Sequence, residues 1–202
     1  MRALVIIDLQ NDFIPGGSLA VPGGDEIVPI INELQNKFDL VIATQDWHPS
    51  NHSSFAENHP GKREFEIIKL NGIDQKLWPV HCVQNLKGAE FHPDLNSKKI
   101  EAIFRKGTDK NIDSYSGFYD NAHLKSTGLS GYFKDKGVTS LYFCGLAAEY
   151  CVYFSIIDAL KEGFKAVLIE DATRAISKED FKKAKKETLR AGGKIKTTSD
   201  LD

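Results

Sequence analysis

Three cysteines in 202 residues, at positions 82, 144 and 151, are too few and odd in number for a disulfide framework. A reducing, cytoplasmic setting is the expectation, with each thiol buried, metal-binding or catalytic. No apolar run is long enough to span a membrane. The run in MRALVIIDLQ stops at Asp8, too short for the core of a secretion signal. An excess of one charge is missing too. Lys and Arg number 26 against 28 Asp and Glu, a net of −2, so nothing electrostatic argues for nucleic acid or an anionic membrane as partner. There is no internal repeat and no low-complexity linker. Gly16-Gly17 and Gly23-Gly24 are too irregular for a phosphate loop and read as turns.

What is present is an alternation of short apolar runs with amphipathic stretches. Residues 3–8, 39–46, 101–106, 140–145 and 165–171 read as strands, and 194–198 as an edge strand. Helices are expected over 26–37, 129–137, 149–162 and 177–193, the last with a Lys-rich, solvated face. Continuous apolar strands separated by helices predict a central, mostly parallel sheet covered on both faces, an α/β fold. The length suits one such core, so residues 1–202 read as a single domain. Segments 47–100 and 107–125 read as long irregular loops and hold all six histidines and both tryptophans. Loops of that length inside a domain generally carry function.

Ligands of open parallel sheets bind beyond the C-terminal strand ends. Here those ends are unusual: Asp8, Asp46, Lys106 and Gly145. Asp8 directly follows Val-Ile-Ile, where a carboxylate is costly to ionise without a partner, and Lys106 is the natural one. Structural ion pairing explains any one of these residues alone; four at one rim point to a site. In FCGLAAEYCV, Cys144 lies inside the strand and behaves as a small hydrophobe. Cys151 follows the small-residue turn and enters the next helix, where unpaired N–H groups favour a thiolate and can hold an oxyanion. Packing is the competing explanation for Cys151. In QDWHPSNHSSF, Asp46 and His48 are two apart, so an extended backbone points both side chains one way. With His81 from WPVHC they make a plausible divalent-metal set, and His52 is either a fourth ligand or a lining residue. Zinc, iron and manganese all suit one carboxylate plus imidazoles. Cys82 points away from His81 and reads as packing.

The segments IDLQNDFIPGGSLAVPGG, ATQDWHPSNHSSFA, WPVHCVQN, GAEFHP, FRKGTD, DSYSGFYDN and GLAAEYCV together resemble the nicotinamidase/pyrazinamidase group of the isochorismatase-like cysteine hydrolases. The resemblance runs in order from residue 3 to about residue 175. It implies a three-layer sandwich and hydrolysis of nicotinamide to nicotinate and ammonia, an NAD-salvage reaction, with pyrazinamide as a second substrate. It places the catalytic groups on Asp8, Lys106 and Cys151, and the oxyanion hole on the N–H groups of Ala147 and Cys151. Metal ligands fall on Asp46, His48 and His81, with zinc foremost, and ring contacts on Phe13, Trp78 and Tyr115. It also implies a cis peptide between Leu146 and Ala147. Many relatives have Thr-Asp where this chain has Ala148-Glu149, and residues 62–77 match no motif. Two further readings stay open: the same fold acting on another small amide, a carbamoyl compound or isochorismate, and a metal-hydroxide hydrolase with Cys151 structural. An inert metal-binding module fits the residues less well. Self-association as a homo-oligomer is left open.

Overall fold

The computed structural model describes residues 1–201. Its main sheet has six parallel strands: β1 (Arg2–Ile7), β2 (Leu40–Asp46), β5 (Ile100–Lys106), β6 (Ser140–Gly145), β7 (Lys165–Thr173) and β8 (Lys194–Lys196). The order across it is β5-β2-β1-β6-β7-β8. The chain therefore builds outward from β1 on one side, then crosses back to β6 and builds outward on the other. That reversal, between β1 and β6, is where a crevice opens beyond the strand ends in such sheets.

The period-2 alternation of β1 sorts its side chains between two cores. Leu4 and Ile6 join Ile27, Val28, Ile31 and Leu34 of helix α1 (Ile27–Leu34) on one face. Ala3, Val5 and Ile7 join Leu129 and Phe133 of α2 (Leu129–Asp135) and Ile156 and Ala159 of α3 (Tyr153–Lys161) on the other. Phe181 of α4 (Lys178–Arg190) packs on that second core as well. Each fully buried Leu, Ile or Phe contributes about 1.5–3 kcal/mol as an upper estimate, so the two-sided burial of β1 anchors the sheet. The Lys-rich face of α4 is solvated as expected, with only Ala184 and Thr188 buried. Its start is capped by Ser177, whose hydroxyl accepts from the Asp180 N–H. Among the described residues, no helix is long and apolar enough to cross a membrane.

Three elements differ from the sequence expectation. Strand β1 ends at Ile7, and Asp8 turns out of it with φ +44°. The helix expected from residue 149 opens with a wide turn at Ala148–Val152, and regular α-helix begins at Tyr153. Segment 62–77, read as loop, contains an antiparallel hairpin, β3 (Ile67–Leu70) and β4 (Ile73–Lys76). Asn71 and Gly72 both have positive φ at its tip, as a two-residue hairpin turn requires.

Candidate active site

Strand register brings the charged residues together. Asp46 and Lys106 are direct neighbours at the ends of β2 and β5. Ile7 and Gly145 pair at the ends of β1 and β6, so Asp8 and the turn leading to Cys151 leave the sheet side by side. Gly145 has φ +111°, and a Cβ there would overlap the Ile7 backbone; only glycine permits this approach. The Leu146–Ala147 peptide beyond it is cis, as the resemblance implies.

The Lys106 ammonium is the hub. Its Nζ lies 2.9 Å from Asp8 Oδ2, 2.7 Å from Asp46 Oδ1, 2.9 Å from the Ser114 carbonyl and 3.3 Å from Cys151 Sγ. Both carboxylates thus share the lysine that the sequence paired with Asp8 alone. Asp8 Oδ1 also accepts from the Thr44 hydroxyl at 2.6 Å. The Gln10 side chain pins the backbone of Asp46, accepting from its N–H and donating to its carbonyl, each at 2.8 Å.

Burial and charge act in opposite directions here. Burial raises the Asp8 carboxyl above its usual range, with Lys106 opposing and Asp46 reinforcing. Burial also works to raise Asp46, but Lys106 and His48 outweigh it and hold that carboxyl well below the usual range. Lys106 stays charged, because two carboxylates overcome its burial. Burial, with Asp8 and Asp46 adding to it, pushes the Cys151 thiol well up against the pull of Lys106. Its surroundings thus favour a thiol beside a carboxylate, where the sequence reading favoured a thiolate held by a helix start. The wide turn displaces that helix start to Tyr153. Cys144 is likewise pushed up by burial alone and sits in the core.

Asp46 Oδ2 faces two imidazoles: His48 Nε2 at 3.3 Å and His81 Nε2 at 3.6 Å. The Nδ1 atoms of both rings lie on carbonyl oxygens, those of Gly107 (2.9 Å) and Pro79 (2.8 Å). A carbonyl only accepts, so each Nδ1 carries a hydrogen, and it is the neutral form of each ring that presents an Nε2 lone pair toward the carboxylate. His48 Nε2 is buried without a hydrogen-bond partner. Lone pairs converging on an anionic oxygen need a cation between them, and one carboxylate with two imidazoles is the donor set of a divalent metal site. Gly107 guards this geometry: its φ is +65°, and a Cβ would strike the His48 ring. His52 lies tilted against His48, ring centroids 4.4 Å apart, but groups with Asp113, apart from Asp46 and His81. Burial and then His48 push His52 down to about 4, so it is neutral.

Above these groups opens a small cavity lined by Phe13, Trp78, Tyr115, His81, Asp46, Ala147 and Cys151. All three aromatics singled out in the sequence thus share one wall with the sulfur. The sequence reading missed Leu19, Asp113, Tyr150 and Ile176, which also line it. Tyr150 had a signal in its position next to Cys151. Ile176 had none, because a loop from beyond β7 brings it in. That loop is clamped by Glu149, whose carboxylate accepts from the N–H groups of Ser177 (2.6 Å) and Ile176 (3.3 Å). The Ala148 N–H donates to the Arg174 carbonyl beside it.

The family model described as the Isochorismatase domain matches residues 2–200. The chain belongs to the isochorismatase family. Within that family it is 49% identical over 174 residues to a nicotinamidase of Acinetobacter baylyi, covering 86% of this chain and 81% of that one. It is 44% identical to the Escherichia coli nicotinamidase, covering 100% of this chain and 97% of the other. A solved Acinetobacter baumanii nicotinamidase/pyrazinamidase superposes with TM-score 0.97 at 46% identity, covering 100% and 98% of the two chains. A structure from L. infantum in complex with nicotinate gives 0.89 at 38% identity, covering 100% and 95%. A Pyrococcus horikoshii pyrazinamidase in complex with zinc gives 0.80 at 40%, covering 97% and 98%.

Proposed function

We propose that this member of the isochorismatase family is a nicotinamidase, an amidohydrolase that converts nicotinamide to nicotinate and ammonia and accepts pyrazinamide as well. One observation carries the reading: Cys151 Sγ, 3.3 Å from Lys106 Nζ, forms part of a small cavity walled by aromatic rings. The nicotinate in the L. infantum relative and the names of the Acinetobacter and E. coli relatives support the substrate.

In the proposed mechanism Asp8 accepts the Cys151 proton as sulfur attacks the carboxamide carbon. The raised Asp8 carboxyl and the buried thiol are suited to exchanging that proton, because neither is strongly committed to its charged form. Lys106 stays protonated and offsets the negative charge that passes between them. The N–H groups of Ala147 and Cys151 hold the developing oxyanion; the Ala148 N–H, already donating to Arg174, is not free to do so. Asp8 then protonates the leaving nitrogen and ammonia departs. Water adds to the thioester with Asp8 as base, releasing nicotinate and restoring the thiol.

Phe13, Trp78 and Tyr115 hold the ring. A divalent metal, zinc first among zinc, iron and manganese, would be held by Asp46, His48 and His81, and it would supply a Lewis-acidic anchor for the ring nitrogen. The zinc in the Pyrococcus horikoshii relative supports that choice. We read residues 1–202 as a single domain working in the cytoplasm on a free small molecule. Ammonia release from nicotinamide, measured with and without chelator, tests the reading. Turnover that chelation removes and zinc restores is expected; an inert wild-type protein loaded with zinc would overturn it.

A further inference from the structure

The β3–β4 hairpin stands apart from the main sheet. Two strands alone are marginal in water, so tethers decide where they sit. At the tip, the Asn71 side chain donates to the Asn111 carbonyl at 2.6 Å. The deeper tether is Gln75. It is 1% exposed on a hairpin whose other residues are all exposed or half-exposed. Its amide nitrogen lies 2.7 Å from the Lys76 carbonyl, 3.1 Å from Asp113 Oδ2 and 3.2 Å from the Tyr115 hydroxyl. That hydroxyl also accepts from Trp78 Nε1 at 3.1 Å. Asp113 Oδ1 accepts from the Ser114 N–H at 2.8 Å, in the residue whose carbonyl receives Lys106.

Asp113, Tyr115 and Trp78 all line the cavity, and Gln75 does not. It stands behind the wall and joins two of the three directly and the third through the Tyr115 hydroxyl. A buried amide is costly unless its hydrogen bonds are made, and here its two hydrogens are shared between the Lys76 carbonyl and two acceptors of the wall. A leucine of similar size would fill the space but leave a carboxylate oxygen and a phenol short of a donor. The residue type therefore matters to the wall, beyond its volume.

We propose that Gln75 is a positioning residue that sets ring selectivity: it acts on the substrate through Tyr115 and Asp113, fixing the wall at a spacing for a single six-membered ring. The inference rests on reading the cavity as the nicotinamide site. Its test compares Gln75→Leu, Gln75→Met and Tyr115→Phe, with the double variant Gln75→Leu/Tyr115→Phe, on nicotinamide and on the bicyclic quinoline-3-carboxamide. Losing the donor should raise the nicotinamide KM about tenfold, with kcat within about threefold of wild type. The preference for nicotinamide over the bicyclic amide should fall by about the same factor. Gln75→Met, similar in length but lacking the donor, should do as much, and it stands in should the leucine variant fail to fold. The double variant should be no worse than the worse single. A residue that only stabilised the hairpin would lower Tm while leaving KM and the selectivity ratio at wild-type values, and that result overturns the proposal. So does wild-type behaviour of Gln75→Met. A wild-type protein inert toward nicotinamide would refute the cavity reading instead, whereas normal wild-type turnover with unmoved ratios refutes the role of Gln75 alone.

Discussion

Replacing Asp8 with asparagine separates the chemistry of the site from its architecture. The change keeps shape and removes the ability to take a proton. Lys106 retains Asp46 at 2.7 Å and the Ser114 carbonyl at 2.9 Å, so its position should hold. Removing a buried carboxylate whose ionisation burial already opposes should leave folding stability within about 1 kcal/mol of wild type. Asp8 is absent from the cavity lining, so KM should change less than about threefold. A general acid–base contributes about 10²–10⁴-fold. Asp8 would serve in both acylation and thioester hydrolysis, which puts the expected loss in kcat near the top of that range, roughly 5 kcal/mol of barrier. Removing its negative charge should also lower the Cys151 thiol, since Asp8 is one of the groups holding it up. Iodoacetamide should therefore alkylate Cys151 at neutral pH at least as fast in the variant as in wild type. Ammonia release and alkylation rate are the paired assays. A variant retaining a tenth of wild-type kcat, or one alkylated far more slowly, would refute the reasoning.

Gly107→Ala should abolish zinc-dependent activity and lower stability by about 1–3 kcal/mol, measured by zinc titration and urea unfolding, because the added methyl meets the His48 ring at a positive φ. Glu149→Ala should raise the nicotinamide KM several-fold with a smaller change in kcat, since it frees the loop that presents Ile176 to the cavity. Glu162 accepts from Lys134, Ser130 and Tyr119 and is held down at about 2. A depressed carboxyl stabilises the fold above its unfolded pKa, and that contribution is lost as pH falls through the folded value. Glu162→Gln should therefore cost about 1–2 kcal/mol at pH 7 after allowance for solvent screening. The gap to wild type in urea unfolding should shrink as pH drops from about 4.5 toward 2; a gap independent of pH would contradict the linkage.

The sheet was legible because its inner strands β1, β2, β6 and β7 are buried on both faces and read as nearly unbroken apolar runs. The residues at their ends were legible because charge next to such runs is rare. The hairpin at 67–76 escaped, although Asn71-Gly72 is a strong turn signal, because its strands are half-exposed and lack a clean apolar alternation. The sharing of Lys106 between Asp8 and Asp46 escaped because it depends on strand register, which only the assembled sheet fixes. The surroundings of Cys151 were hidden for a related reason. Sequence places it after a turn, but the width of that turn and the carboxylates around the sulfur set its protonation. Ile176 and Leu19 reach the cavity from loops outside the strands and helices, and no local pattern marks such residues.

The central claim is that Cys151 sulfur carries the acyl group during turnover. Mixing the zinc-loaded protein with nicotinamide, quenching in acid within the first turnovers and mapping peptides by mass spectrometry tests it directly. The account predicts a nicotinoyl adduct on the peptide containing Cys151, absent from those containing Cys82 and Cys144, and no ammonia release from Cys151→Ala. An unmodified Cys151 peptide throughout turnover, together with a Cys151→Ala variant that still releases ammonia, would contradict it.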